Sequence, residues 1–63
     1  MRKGIGDDIM INGKRYMFIR SGWFLEGKVE LQQLARGFRE KEFSARVIQD
    51  SKHKSLYGLY IEA

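Results

Sequence analysis

The chain has 63 residues, 43% of them hydrophobic and 32% charged, with no cysteine and no proline. That composition reads as one small globular domain, 1–63, and excludes a disordered tail, a disulfide scaffold or a thiolate zinc site. Twelve Lys and Arg against eight Asp and Glu leave a net charge of +4, with a local +3 over 14–20 that reads equally as a modest attraction for polyanions or as a solvated basic edge that resists aggregation, and no run approaches the ~20 apolar residues of a membrane span.

Residues 1–6 include Gly4-Ile5-Gly6. No strand signal precedes these glycines and no helix signal follows, as a phosphate loop would need, so the segment is expected to be a flexible arm. Asp7 and Asp8 then arrive before any apolar signal-peptide run, which gives a cytoplasmic expectation. Strand β1 is expected at about 8–11 and β2 at about 14–20. Asn12-Gly13 between them favours a two-residue type I′ turn, because both central residues need positive φ. Ser21-Gly22 ends β2. Trp23-Phe24-Leu25 follows, expected to plug the end of the core below the helix; alternatively Trp23 extends an aromatic surface.

Helix α1 is expected over 28–41, since Leu31, Leu34, Ala35 and Phe38 fall at the i, i+3, i+4, i+7 spacing of one helical face. Gly37 weakens it by roughly 1 kcal/mol relative to Ala. Strand β3 is expected at 44–49, a polar loop at 50–55 and β4 at 56–61. The order β-β-α-β-β implies a small α+β domain, with one helix packed on one face of a four-stranded, mainly antiparallel sheet. If β2 and β3 run parallel, their helical connection is a right-handed crossover.

Alternate strand residues point to opposite faces, and here both faces read as apolar. One set in β2 is Met17 and Ile19; the other is Tyr16 and Phe18, bracketed by Lys14 and Arg20. In β4, Tyr57, Leu59 and Ile61 oppose Leu56, Gly58 and Tyr60; in β3, Ala45 and Val47 oppose Arg46 and Ile48. A sheet with one wet side alternates cleanly between apolar and polar. This one does not, and a single helix shelters one side only. The second side is therefore expected to lie open for an external cover.

Tyr16-Met17-Phe18-Ile19-Arg20-Ser21-Gly22-Trp23-Phe24, Glu30-Leu31 through Leu34-Ala35 with Phe38, Phe43-Ser44-Ala45-Arg46-Val47, and Leu56-Tyr57-Gly58-Leu59-Tyr60-Ile61 together resemble one β-α-β-β half of a SPOR-type domain. The resemblance covers most of the chain and rests on hydrophobic spacing. It implies a sheet-and-helix fold similar to RNA-recognition modules, glycan binding as that family's typical activity, and pairing of two copies into a larger sheet.

Chemistry of the enzymatic kind finds no footing. His53 is the sole histidine and has no partner for a metal site or a nucleophile–base pair. Asp7-Asp8 lacks a second acidic cluster. The expectation is a non-enzymatic, basic nucleic-acid-binding or regulatory module, homodimeric, with DNA or RNA as partner and no membrane, metal or cofactor. Tyr16, Phe18 and Tyr60 would stack bases or fill a sheet-on-sheet dimer interface. Lys14, Arg15, Arg20, Arg46, Lys52 and Lys54 would contact phosphates. The alternative is a protein–protein interaction module whose open sheet face is covered by its partner, with no nucleic-acid role.

Overall fold

The computed structural model describes residues 7–63, so the expected arm at 1–6 lies outside the described residues. Asn12 and Gly13 carry φ of 52° and 78°, the positive values a type I′ turn requires, and they join β1 (Ile9–Ile11) to β2 (Lys14–Trp23). Helix α1 (Phe24–Glu40), β3 (Ala45–Gln49) and β4 (Leu56–Glu62) follow. The strands form one sheet in the order β1-β2-β4-β3, antiparallel at every neighbour. Strands β2 and β3 thus run parallel with β4 between them, and the α+β architecture is the one that the element order implies.

The β2–β4 register breaks between Phe18 and Arg20: Phe18 pairs with Tyr60, and Arg20 pairs with the next residue, Leu59. Ile19 is the extra residue of a β-bulge, and from there on the face assignment of β2 is reversed. Arg20 and Gly22 therefore join the face of Leu59 and Tyr57, while Ser21 and Trp23 join that of Gly58 and Leu56. The helix packs on the Leu59 face. Leu31 and Ala35 are fully buried against Ala45, Leu59 and Ile61, with Phe38, Val47 and Tyr57 packed around them. Leu34, counted with the apolar helical face in the sequence, is left at its exposed margin.

The chain passes from β2 into α1 without a loop, so the helix starts four residues earlier than its periodicity suggests. Phe24 makes the turn in the left-handed region, with φ of 62°, a conformation that costs a non-glycine residue about 1–2 kcal/mol. Its N–H still donates to Ser55 C=O at 2.6 Å, as the last rung of the β2–β4 ladder. What permits the fold-back is a pair of glycines. A Cβ on Gly27 would stand 2.6 Å from the carbonyl carbon of Gly22, so helix and strand backbones touch directly there.

At its other end the helix closes in a Schellman motif: Phe43 N–H donates to Phe38 C=O (3.0 Å) and Glu42 N–H to Arg39 C=O (2.9 Å). Glu42 holds the left-handed position, with φ of 70°, that glycine usually takes. The Phe38 and Phe43 rings meet edge-to-face, centroids 5.9 Å apart, and supply the hydrophobic contact of the motif.

Gly27→Ala is expected to lower stability by about 1 kcal/mol or more, because overpacking against Gly22 outweighs the ~1 kcal/mol gain in helix propensity. Gly37→Ala, where no atom lies within 4 Å of an added Cβ, is expected to raise stability by about 1 kcal/mol. Urea unfolding followed by circular dichroism checks both signs.

Candidate nucleic-acid interface

Five of the nine residues singled out in the sequence share the face away from the helix. Tyr16 pairs with Glu62, and Phe18 and Arg46 flank Tyr60 from either side, with Lys14 at the hairpin end of the same row. That face is not open, however. Tyr60 is 1% and Tyr16 4% exposed. The Phe18 ring stands edge-to-face on Tyr60 with centroids 5.7 Å apart. The Arg46 guanidinium lies 5.6 Å from the Tyr16 ring centre, and its Nε donates to the Tyr16 hydroxyl at 3.3 Å. The two tyrosines form a second, smaller core, so neither offers a free ring face to a base or to a second subunit.

The other four residues separate. The bulge turns Arg20 to the helix side, where its Nη2 lies 3.2 Å from Glu30 Oε1, which corrects its expected place beside Lys14 and Phe18. Arg15 lies on that side as well and pairs with Asp8 at 3.0 Å. Lys52 and Lys54 sit in the β3–β4 loop, at the far end of β4 from Glu62, roughly 20 Å away at about 3.4 Å per residue. Lys14 is 3.9 Å from Glu62. These three pairs are exposed, and exposed pairs contribute only about 0–1 kcal/mol each. A polyanion can compete for them, but none is poised for one.

A different cluster forms at the corner where β2 enters α1. Trp23 is 50%, Phe24 62% and Leu25 71% exposed, so this triplet does not plug the core. The bulge places Trp23 on the second face, and the left-handed Phe24 carries the chain outward rather than under the helix. The β3–β4 loop closes against this corner. His53 stands edge-to-face with Trp23 at 6.1 Å, and the Phe24 ring, tilted by 45°, also lies 6.1 Å from Trp23.

The loop is held in shape by its own polar groups. Asp50 Oδ2 accepts the N–H groups of Lys52 (3.0 Å) and His53 (2.8 Å) and lies 3.2 Å from His53 Nδ1. Gln49 Nε2 donates to Lys54 C=O at 2.7 Å, and Leu56 N–H to His53 C=O at 2.9 Å. Lys52, His53 and Lys54 are left exposed at the tip. The α1 N-terminus opens at the same corner with no side-chain cap, and the partial positive charge of the helix end is offset there by Glu26 in the first turn. Trp23 and the basic loop are both visible in the sequence. Their contact across roughly thirty residues of chain is set by the sheet register, a tertiary property.

No group of three or more metal-ligating side chains occurs among the described residues, and no helix there is long and apolar enough to cross a membrane.

Tyr60→Ala is expected to remove about 3–5 kcal/mol of stability, the usual cost of truncating a buried aromatic. Trp23→Ala, which removes a half-exposed ring, should cost less, about 1–2 kcal/mol. Thermal melts of the two variants check the contrast between core and surface.

Comparisons with protein-family models, with curated proteins and with solved structures found no match for the chain.

Proposed function

We propose that the protein is a small non-enzymatic module that binds single-stranded nucleic acid, with little sequence preference, at the corner of Trp23, Phe24 and the loop 50–55. One observation carries this: two exposed aromatic rings are held beside an ordered loop whose tip is Lys52-His53-Lys54. Single-strand binders combine these two ingredients, a ring on which any base stacks and cations that track the backbone. Each stacked base contributes about 1–3 kcal/mol. Phe18 and Arg46 extend the same face towards its other end.

The strain at Phe24 fits this use. A left-handed phenylalanine that buries little of its ring costs stability, and such strain gathers where a side chain serves binding. A second reading, docking of another protein, draws on Leu25 and Val29, which continue the exposed apolar surface along α1 and would be of no use to a base.

Trp23 is the only tryptophan, so its fluorescence should be quenched on titration with oligo-dT or oligo-U at low ionic strength. By anisotropy of labelled oligonucleotide, Trp23→Ala should weaken binding about 5- to 150-fold. Replacing Lys52 and Lys54 by Gln should flatten the salt dependence by about 1.4, at roughly 0.7 per lost phosphate contact. Phe24→Gly should weaken binding while holding or raising stability, because glycine relieves the positive φ. Absence of quenching at low salt would exclude nucleic acid and leave the protein-docking surface.

A further inference from the structure

The sheet has two edges, and they are finished differently. Beyond β1, which is three residues long, the next donor on β2 is the Phe18 N–H, and the Asp8 carboxylate takes it at 3.3 Å. A short strand followed by a carboxylate blunts that edge against further pairing. Strand β3 at the opposite edge is guarded only at its first residue, where Arg39 reaches Ala45 C=O. It runs for five residues, Ala45-Arg46-Val47-Ile48-Gln49, with no lysine, proline or bulge, and its one charge is drawn inward over Tyr16.

Two rungs establish which groups face out. Glu62 N–H donates to Ser44 C=O at 2.9 Å and Asp50 N–H to Leu56 C=O at 2.8 Å. Both belong to the β3–β4 register, and an antiparallel ladder alternates between bonded and non-bonded pairs. Residues 44, 46, 48 and 50 therefore bond inward to β4, while Ala45, Val47 and Gln49 direct their backbone groups outward. Arg39 covers one of these, reaching Ala45 C=O with Nη2 at 2.9 Å and Nε at 3.3 Å. No strand among the described residues lies beyond β3 to receive the Val47 N–H and C=O.

From this edge we infer that the protein pairs with a second copy of itself through antiparallel β3–β3 addition, with the two-fold axis at Val47, giving a continuous eight-stranded sheet. The occupant is a second copy because the strand is complementary to itself. Around Val47 the outward residues Ala45 and Gln49 stand opposite one another, a small side chain meeting a long one: the Ala45 N–H reaches the Gln49 C=O, and the Gln49 N–H shares the Ala45 C=O with Arg39 or displaces it. On the other face Arg46 lies opposite Ile48, so like charges are kept apart and the aliphatic stem of arginine covers the isoleucine. An axis at Arg46 would oppose two arginines. An axis at Ile48 would leave Ala45 beyond the other strand's end. Only the Val47 register overlaps all five residues. The pairing leaves Trp23 and the loop 50–55 free, so it stands or falls separately from nucleic-acid binding.

Sedimentation equilibrium over a concentration series should show the 7.4 kDa chain approaching twice that mass. A synthetic chain N-methylated at Val47 loses one outward donor that its own fold does not use. It should stay at monomer mass with an unchanged far-UV spectrum. In the cysteine-free background, Val47→Cys should form a disulfide dimer on diamide oxidation, because bonded antiparallel pairs stand about 5.5 Å apart at Cα. Gln49→Cys and Ile48→Cys, each displaced from its own copy, should cross-link several-fold more slowly. Monomer mass at the highest concentration, a dimer that survives N-methylation, or equal cross-linking at 47 and 49 would each overturn the inference.

Discussion

Much of this molecule follows from one extra residue in one strand. The bulge at Ile19 reverses the faces of β2 for its last four positions. Without that reversal Gly22 would point away from the helix, and the backbone contact with Gly27, which lets α1 begin with no loop, would not exist. Trp23 would face the helix instead of joining Leu56 on the second face. Arg20 would stand among the tyrosines instead of pairing with Glu30. Helix entry, the place of Arg20 and the candidate interface are three consequences of the same register shift.

The sheet is apolar on both sides because it carries two cores of unequal size. The larger, centred on Leu31, Ala35 and Leu59, is the usual helix-on-sheet burial. The smaller, centred on Tyr16 and Tyr60, is roofed in part by Arg46 and braced by Phe18. For a chain of this length every buried aromatic counts, since little of its surface is hidden to begin with. Arginine suits the roof: its flat cation lies on a ring face and still donates to the hydroxyl.

Charge is distributed by the same logic. Lys14, Arg15 and Arg20 each sit by an acid in exposed pairs that tie β2 to β4, to the segment before β1 and to the helix. Those pairs add little energy singly, but they consume the basic cluster that looks most inviting in the sequence. The cations left at the Trp23 corner are the loop lysines, held outward because Asp50 organises the turn beneath them.

Element type and order are decided locally, and for that reason they are legible without coordinates. Asn12-Gly13 accepts the positive φ of its turn, Leu31, Ala35 and Phe38 repeat at helical spacing, and β3 and β4 alternate as strands do. That Tyr16 shares a face with Phe18 also follows from simple alternation, whereas Tyr60 and Arg46 join them through the register between strands. Burial of that face, the bulge, the loopless helix start and the meeting of Trp23 with His53 do not. Each depends on which strand lies beside which and in what register. A period-2 pattern reports that a residue faces a given side of its own strand, but it carries no information about an inserted residue or about what the neighbouring strand brings opposite.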